Sequence, residues 1–254
     1  MKIKFQGTAA SINDPHIPFQ DQRTLHEVEL FLKDLQPELL LIIGDVGDFY
    51  QISKFDKNPL RKQTMYQDLS KVKSFHRRIR SILPNTRIIE EEGNHEDRWR
   101  KFLWTKVPEL ADFEELRLDK LYGLDECEIE HIPYSEGLLV NGVFLASHGD
   151  MIRAHSGYTA KGMSDKHGGC GIHGHTHRGG SYYKRDRFGI WGWWENFCLC
   201  NLDPDWIANP NWQQGFSLVH FTKSRFWVEP IPIISEKFMY GGTLYGSGRK
   251  ARNG

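Results

Sequence analysis

Three histidines stand at alternate positions in the stretch GIHGHTHRGG, as His173, His175 and His177. In an extended chain, side chains two residues apart point to the same side, so these imidazoles could converge on one point. Imidazole is a common protein ligand for metal ions. The stretch therefore indicates a metal site, and its glycines allow the backbone to approach such a site closely.

Four other groups of metal-binding or acid–base residues follow strand-like segments. They lie in DPH, GDVGD and GNHE and directly after FLAS, and they supply Asp14, His16, Asp45, Asp48, Asn94, His95 and His148. In an open α/β sheet, ligands collect at the edge where the strands end. We therefore expect five separate parts of the chain to bring these side chains to one rim.

The first half of the chain predicts alternating strands and helices. Apolar residues at helical spacing after an Asp21 N-cap predict a helix over residues 22–35, and the same pattern recurs over residues 60–82. ELLLIIGD and TRIIEEEGN are typical of buried strands that end at a glycine, whereas AASI before Asp14 carries only a weak strand pattern. The alternation indicates a layered α/β sheet.

The second half of the chain predicts mostly strands. GLLVNGVFLASHGD reads as two strands joined by Asn141 and Gly142, a strong hairpin signal. A helix is expected over residues 156–166, and residues 181–233 form short β-like runs. We find no internal repeat.

Length and composition limit the kinds of protein that this chain can be. A chain of 254 residues is long enough for one large α/β domain. Because 33 basic residues balance 33 acidic ones, composition excludes an overall field that would attract nucleic acid or an anionic membrane, although local patches remain open. The chain has no apolar run that could cross a bilayer and no signal-peptide pattern.

The cysteines favour a cytoplasmic protein with free thiols, since they form no CxxC pair. They are Cys127, Cys170, Cys198 and Cys200. Cys198 and Cys200 would share one face of a strand, but two sulfurs without further partners make a poor zinc site.

The motif series DxH, GDxxD, GNHE, a lone His and GHxH, in that order over residues 14–178, resembles the calcineurin-like metallophosphoesterases. The resemblance implies an α/β fold: a two-sheet β-sandwich flanked by helices, in four layers, around a dinuclear metal site. GNHE followed by Arg98 is similar to the phosphoprotein phosphatases, but GHTH and the absence of GDxHG favour the broader phosphodiesterase and phosphatase branch.

The resemblance also implies the ligands of two divalent ions. Asp14, His16 and His177 would hold one ion, Asn94, His148 and His175 the other, and Asp45 would bridge them because a carboxylate has two oxygens to share. This oxygen and nitrogen set suits Mn²⁺, Fe, Zn²⁺ or Ni²⁺, with manganese favoured. Such a pair could clamp a phosphate ester and convert a bridging water to the attacking hydroxide.

His95 has the role of general acid by resemblance, since consecutive side chains diverge and Asn94 would face the metal. Asp48, or alternatively Asp97, would hold its ring nitrogen. Arg178 either binds a phosphate oxygen of the substrate or forms a surface salt bridge. His173 is either a hydrogen-bonded core histidine or a partner that orients a metal ligand.

The domain organisation is expected to be simple. Residues 1–235 form one metallophosphoesterase domain, residues 102–135 and 179–215 form the rim of the site, and residues 236–254 form a flexible tail rich in glycine and basic residues. The tryptophans of the second rim segment accompany basic residues, a pairing that either stacks on single-stranded nucleic acid or builds an aromatic core or dimer contact. These residues are Trp191, Trp193, Trp194, Trp212, Lys184, Arg185 and Arg187.

The motifs do not identify the substrate class, because the same dinuclear centre can hydrolyse several kinds of phosphate ester. The aromatic and basic residues after GHTH favour a phosphodiesterase, with nucleic acid as a candidate substrate. The alternatives are a small-molecule or nucleotide phosphomonoesterase and a non-catalytic scaffold of the same fold.

Overall fold

Strands and helices alternate in the first half of the chain, and strands dominate the second half. The computed structural model describes residues 1–246. In chain order the elements are β1 (Lys2–Ile3), β2 (Gly7–Ile12), α1 (Gln22–Leu35), β3 (Leu39–Ile43), α2 (Met65–Ile82), β4 (Arg87–Glu91), α3 (Asn94–Lys106), α4 (Leu118–Tyr122), β5 (Ile129–Ile132), β6 (Leu138–Val140), β7 (Phe144–Ser147), α5 (Tyr158–His167), β8 (Cys170–His173), β9 (Gly179–Asp186), β10 (Gly189–Asn196), β11 (Gln214–Phe221), β12 (Phe226–Ile233), β13 (Phe238–Tyr240) and β14 (Thr243–Tyr245).

Two six-stranded sheets contain most of these strands. The first sheet has the order β12, β11, β2, β3, β4, β5, and its last four strands run parallel. The second sheet has the order β1, β6, β7, β8, β10, β9, with β7, β8 and β10 parallel. Because the parallel strands of each sheet end at one edge, the loops that follow them meet there.

The apolar run of β3 shows how the layers form. Leu39, Leu41 and Ile43 pack between the two sheets, whereas Leu40 and Ile42 pack with α1 and α2 on the outer face of the first sheet. On the far side, Ala160 and Met163 of α5 cover Trp193 of the second sheet. Successive side chains of β3 thus pack alternately against the second sheet and against the helices. The layers are helix, sheet, sheet and helix, and this order confirms the predicted two-sheet α/β architecture.

The predicted elements differ from the observed ones mainly at their ends. Helix α1 matches residues 22–35, and the Asp21 carboxylate accepts from the backbone nitrogen of Thr24 (2.9 Å). Helix α2 begins at Met65 rather than at residue 60, because Thr64 and Gln67 form a reciprocal capping box there. Helix α5 begins at Tyr158, since the Ser156 hydroxyl donates to the Gly179 carbonyl instead of capping the helix.

The weak strand pattern before Asp14 belongs to a central strand. β2 lies between β11 and β3, and Ala9 and Ala10 are completely buried. Small side chains suffice here because both faces of the strand are covered. The hairpin of β6 and β7 is confirmed, with Asn141 and Gly142 both at positive φ in its turn.

The structure adds to or differs from the expectations for two chain segments. Residues 102–135 contribute to the core, because Tyr122 and Leu124 are fully buried and β5 forms the edge of the first sheet, and the role of this segment in the rim stays a prediction. Residues 236–246 are not a tail: β13 pairs with β14, and the Phe238 ring lies against Phe31 of α1 (5.4 Å between centroids). The rest of the expected tail, residues 247–254, lies outside the described residues.

The tryptophan segment is divided between the core and the surface. Trp193 lies buried beneath α5, and Trp194 packs between the sheets, so the aromatic-core interpretation is correct for these two. Both rings are therefore closed to a nucleic acid. Within residues 1–246, no helix combines the length and apolarity needed to span a membrane.

Replacing Phe238 by Ala tests whether the β13–β14 hairpin is an integral part of the fold. Phe238 is buried against Phe31, Phe216 and Tyr245, so its loss should lower the free energy of unfolding by about 3–5 kcal/mol in urea denaturation. The matched control is Met239→Ala, whose side chain is exposed and should change stability by less than about 0.5 kcal/mol. Equal stabilities of the two variants would contradict the docking.

Candidate metal centre

The predicted ligands converge at the edge where the parallel strands end. Asp14 and His16 follow β2, Asp45 follows β3, and Asn94 opens α3 after β4. The histidines come from the second sheet: His148 follows β7, and His175 and His177 follow β8. The two sheets thus face each other across the site, and each contributes ligands.

One group of four side chains can hold a metal ion. The ligand atoms of Asp14, His16, Asp45 and His177 all lie within 4.8 Å of one another, and all four residues are buried. The Nε2 atoms of His16 and His177 are 2.9 Å apart, and Asp14 Oδ1 lies 3.2 Å from His177 Nε2. The nitrogen and oxygen atoms therefore point at a common centre.

A second group lies beside the first and shares Asp45 with it. Asp45, His148 and His175 again lie within 4.8 Å of one another. Asn94 belongs here too, since its Oδ1 lies 3.0 Å from His148 Nε2. The ring of His148 is oriented from behind, because its Nδ1 donates to the Ile43 carbonyl (3.0 Å) and leaves Nε2 for the site.

The shared Asp45 uses one oxygen for both groups. Oδ1 accepts a hydrogen bond from the backbone nitrogen of His95 (2.8 Å). Oδ2 lies 3.5 Å from His16 Nε2 and 3.4 Å from His148 Nε2. We expected each carboxylate oxygen of Asp45 to face a different ion. In the structure, Oδ2 alone faces both ligand groups, and Oδ1 accepts the hydrogen bond from His95.

The residues present fit a pair of divalent cations. Asp14 Oδ1 is buried and accepts no hydrogen bond from the described residues, although Oδ2 of the same carboxylate accepts from His175 N (2.9 Å). Imidazole nitrogens of His177 (3.2 Å) and His16 (3.5 Å) surround this oxygen, so a cation bound among these three groups would compensate the burial of the carboxylate. Imidazole, carboxylate and amide oxygen together suit Mn²⁺, Fe, Zn²⁺ or Ni²⁺ without deciding among them.

Five of these ligands have left-handed backbone conformations. Asp14 (φ 50°), His16 (49°), Asp45 (51°), His175 (68°) and His177 (56°) all lie at positive φ, which is uncommon for residues other than glycine. Backbone hydrogen bonds hold the first two in place, from Asp14 N to the Gly44 carbonyl (3.1 Å) and from His16 N to the Asp45 carbonyl (3.0 Å). Strain of this kind persists where the surroundings fix the geometry, and it is typical of functional sites.

Glycines permit the close packing of these loops. A Cβ on Gly93 would lie 2.1 Å from Asp45 Oδ1, and one on Gly174 would lie 2.6 Å from Asp14 Oδ2. Both positions therefore exclude every side chain. The glycines of GNHE and GHTH are thus required by the approach of a ligand carboxylate to the backbone.

Glu96 connects the two loops that carry Asp45 and Asn94. Its carboxylate accepts from the backbone nitrogens of Asp45 (3.0 Å), Gly47 (2.9 Å) and Gly93 (2.7 Å), and from the Tyr122 hydroxyl (3.0 Å). Burial, with Asp45 adding to it, raises the pKa of Glu96 to about 8. The sequence contained this residue in GNHE, but its role as a loop clamp could not be read from the motif.

Glu91 and Glu195 do the same for the second sheet. Glu91 accepts from the backbone nitrogens of His148 (2.8 Å) and Gly137 (3.1 Å). Glu195 accepts from the Thr176 hydroxyl in GHTH (3.0 Å) and from Thr159 N at the start of α5 (3.1 Å). Each buried carboxylate therefore fixes a loop that presents a histidine.

His95 lies at the partly exposed side of the site. Its Nδ1 donates to the Asp48 carbonyl (2.9 Å) and also lies 3.2 Å from Asp48 Oδ2. Its Nε2 lies 3.7 Å from Asp45 Oδ2 and accepts a hydrogen bond from Arg98 Nη2 (2.8 Å). Asp48 thus contacts His95 as the sequence indicated, while Arg98, three residues further along α3, was missed as a partner.

For Asp97, His173 and Arg178, the sequence left two interpretations each, and the structure bears on them differently. Asp97 pairs with Arg100 and Lys101 and not with His95, so Asp48 is the better interpretation. His173 is fully buried, and its Nδ1 donates to the Gly174 carbonyl (2.9 Å), as expected of a core histidine. Arg178 donates from Nη1 to the Arg153 carbonyl (2.6 Å), so binding of substrate by Arg178 stays a prediction.

The charges of the two groups are coupled. Burial lowers the pKa of His148, but the Asp45 carboxylate outweighs it and raises the pKa to about 10. Burial raises the pKa of Asp45, yet His148 and His95 hold it well below its usual range. For His175, burial and the nearby His148 lower the pKa to about 4. Protons on the metal-free site therefore reside on His148 and not on His175.

Comparison with protein families and curated proteins identifies two relatives from phages. No family model matches the sequence. Two curated proteins match at 26% identity, the Gene 54 proteins of Mycobacterium phages D29 and L5. Each alignment covers 92% of this chain and 96% of the relative.

Among solved structures, similar ones include proteins named Vps29. Chaetomium thermophilum Vps29 has a TM-score of 0.47 at 10% identity, covering 89% of this chain and 86% of that chain. Entamoeba histolytica Vps29, crystallised with Zn²⁺, has a TM-score of 0.44 at 13% identity, covering 93% and 95%.

The metal content of alanine variants distinguishes Asp45, which belongs to both ligand groups, from ligands that belong to one group. Asp45→Ala should lose both ions, because Asp45 Oδ2 faces both groups, whereas His16→Ala and His175→Ala should each lose one. The measurement is manganese per chain by inductively coupled plasma mass spectrometry after dialysis. His155→Ala, which removes an exposed histidine, is the control. Full metal content in Asp45→Ala would exclude a shared carboxylate.

Metal affinity should increase with pH. His148 has a pKa of about 10 and His16 a raised pKa, so both are protonated in the metal-free protein at neutral pH. A metal must displace these protons, so affinity should rise by about tenfold per pH unit for each proton displaced. Titration with Mn²⁺ at pH 6 and pH 8 measures this change, and equal affinities at the two values would contradict it.

Proposed function

We propose that the protein is a calcineurin-like metallophosphoesterase that hydrolyses phosphodiesters with two divalent metal ions. The observation that carries the proposal is Asp45 Oδ2, which faces the imidazole of His16 on one side and that of His148 on the other. A carboxylate oxygen shared between two ligand groups is the arrangement that a metal pair requires. The resemblance of the five motifs supports the same function.

The two ions would be held by the residues that converge here. Asp14, His16 and His177 complete one position, Asn94, His148 and His175 complete the other, and Asp45 serves both. Bound ions supply positive charge that polarises a phosphate and acidifies water. The protein contributes the buried surroundings, in which such charges act more strongly than in water.

His95 is the residue placed to protonate the leaving oxygen. Its Nε2 lies 3.7 Å from Asp45 Oδ2, so it faces the ligand cluster without belonging to either group that contains Asp45. Its Nδ1 is fixed by the Asp48 carbonyl, which keeps the ring oriented. A general acid needs this combination of reach and fixed orientation.

Arg98 controls the other nitrogen of His95. Its guanidinium donates to His95 Nε2 (2.8 Å) and to the Asp48 carbonyl (3.0 Å), so in the substrate-free protein Nε2 is an acceptor. A substrate phosphate that accepts from Arg98 would release Nε2, which could then take a proton from water and later donate it to the leaving oxygen. Binding of the substrate would thus prepare the acid for its transfer to the leaving group.

The proposal of a diester rather than a monoester rests on the aromatic and basic residues near the site, which suit a nucleic-acid backbone. A monoester carries about −1.5 to −2 at neutral pH, whereas a diester carries one negative charge. Turnover of the two classes of ester therefore distinguishes the phosphodiesterase from the phosphomonoesterase.

Replacing His95 by Ala tests the proposed acid. The variant should keep both metal ions and lose turnover of a diester with a phenyl leaving group by about a hundredfold or more, because phenolate requires a proton as it departs. The loss should be smaller with bis(4-nitrophenyl) phosphate, whose leaving group is stable without one. His155→Ala is the control that should retain full turnover.

Three outcomes would contradict the proposal. Equal losses on the two diesters would exclude His95 as the acid. A wild-type preference for 4-nitrophenyl phosphate over the diester would instead indicate a phosphomonoesterase. Tight binding of metal without hydrolysis of either class of ester would indicate a scaffold.

A further inference from the structure

A cluster of aromatic and basic side chains lies beside the His16 side of the metal centre. It consists of Phe19, Tyr50, Arg61 and Trp206, and we name it the aromatic–arginine patch. We propose that this patch binds single-stranded nucleic acid and places one of its phosphodiesters at the metal centre. The inference rests on the proposed phosphodiesterase function and assigns its substrate class.

The patch is built on the loops that supply the metal ligands. Phe19 lies three residues after His16, and its backbone nitrogen donates to the His16 carbonyl (2.6 Å). Tyr50 lies two residues after Asp48, which contacts both His16 and His95. A ligand on the patch is therefore one short loop away from the metal site.

Arg61 is held against the aromatic rings. Its guanidinium carbon lies 3.6 Å from the centre of the Phe19 ring and 4.9 Å from that of Tyr50. Its buried Nε donates to no partner among the described residues, and the Asp68 carboxylate interacts with Arg61 through its charge without accepting a hydrogen bond there. A guanidinium fixed on rings with an unused N–H group is suited to an anionic ligand such as a backbone phosphate.

Trp206 provides the surface on which a base can stack. Its ring packs edge-on against Phe19, with 4.7 Å between centroids, and 41% of the residue remains exposed. The loop that carries it is tied to the other side of the patch, because Asn58 Nδ2 donates to Asp205 Oδ2 (2.9 Å). The tryptophan is thus both accessible and held in place.

The segment that carries Arg61 concentrates positive charge in a chain whose net charge is zero. Residues 53–63 include Lys54, Lys57, Arg61 and Lys62 but only one acid, Asp56. The same segment exposes Phe55 (74%) and Leu60 (82%). Aromatic rings interleaved with basic residues are typical of proteins that bind single strands.

We infer a single-stranded substrate from the way in which a base would stack on Trp206. A base can lie on the exposed Trp206 ring only if it is unpaired, since bases in a duplex are stacked on each other. The phosphate that follows such a base can meet the guanidinium of Arg61, and the next phosphates can extend toward His16. A duplex offers phosphates to Arg61 but no base to Trp206.

Binding of a labelled oligothymidylate, measured by fluorescence anisotropy in EDTA, tests the patch without turnover. Trp206→Ala should weaken binding at least about fivefold, the loss expected for one base stack. Arg61→Gln should weaken it as well and reduce the slope of log affinity against log salt by about 0.7, the value for one phosphate contact on a single strand. The control is Trp227→Ala, an exposed tryptophan on β12 opposite the first residues of β2, away from the site.

The expected result also includes weaker binding of a hairpin duplex than of the single strand. Unchanged affinity in Trp206→Ala and Arg61→Gln, or equal binding of duplex and single strand, would overturn the proposal. Turnover of bis(4-nitrophenyl) phosphate separates this failure from failure of the proposed function. The wild-type protein should hydrolyse this diester. If it does so without binding the oligonucleotide, the patch proposal is wrong and the proposed phosphodiesterase function stands; if it does not hydrolyse the diester, the proposed function is wrong.

Discussion

The buried carboxylate of Glu96 is the interaction on which the site depends. It joins three backbone N–H groups from two loops that follow neighbouring strands, β3 and β4, and the same carboxylate accepts from Tyr122. Those loops carry Asp45, which belongs to both ligand groups, and Asn94, which belongs to the second. A carboxylate can accept several hydrogen bonds at once, so one side chain satisfies a set of amides that would otherwise be buried without partners. The position of Asp45 relative to Asn94 is thus set by a residue that belongs to neither ligand group.

The cost of assembling the site is concentrated in its backbone. Asp14, Asp45 and His175 adopt left-handed conformations, each of which costs about 1–3 kcal/mol and persists only where its surroundings impose it. The surroundings are rigid: β2, β3 and β4 are buried strands, and Glu91 and Glu195 fix the loops of the second sheet. Stability from the apolar layers between and outside the sheets therefore offsets strain at their edge. This relation explains why the ligands lie on short loops directly after buried strands.

Much of the fold could be predicted because its signals are local. Helix α1, strand β3 and the β6–β7 turn follow from periodicity and from residues such as Asp21 and Gly142, and the ligands follow from their position after strands. The β13–β14 hairpin could not be predicted, since it is stabilised by contact with Phe31, which is distant in the sequence. The patch of Phe19, Arg61 and Trp206 comes from three separate loops for the same reason. The contact between Arg98 and His95 could have been predicted, because residues three apart on a helix share a face and His95 lies in the first turn of the same helix.

The antiparallel pairing of β2 with β11 links the beginning of the described chain to residues 214–221. During translation, this partner strand is made roughly 10–40 s after β2 at ordinary elongation rates. Until then, the strand that leads to Asp14 has an open edge on that side. The backbone that supports Asp14 therefore reaches its final pairing well after β2 and β3 have been made, so the candidate site forms late relative to its first strands.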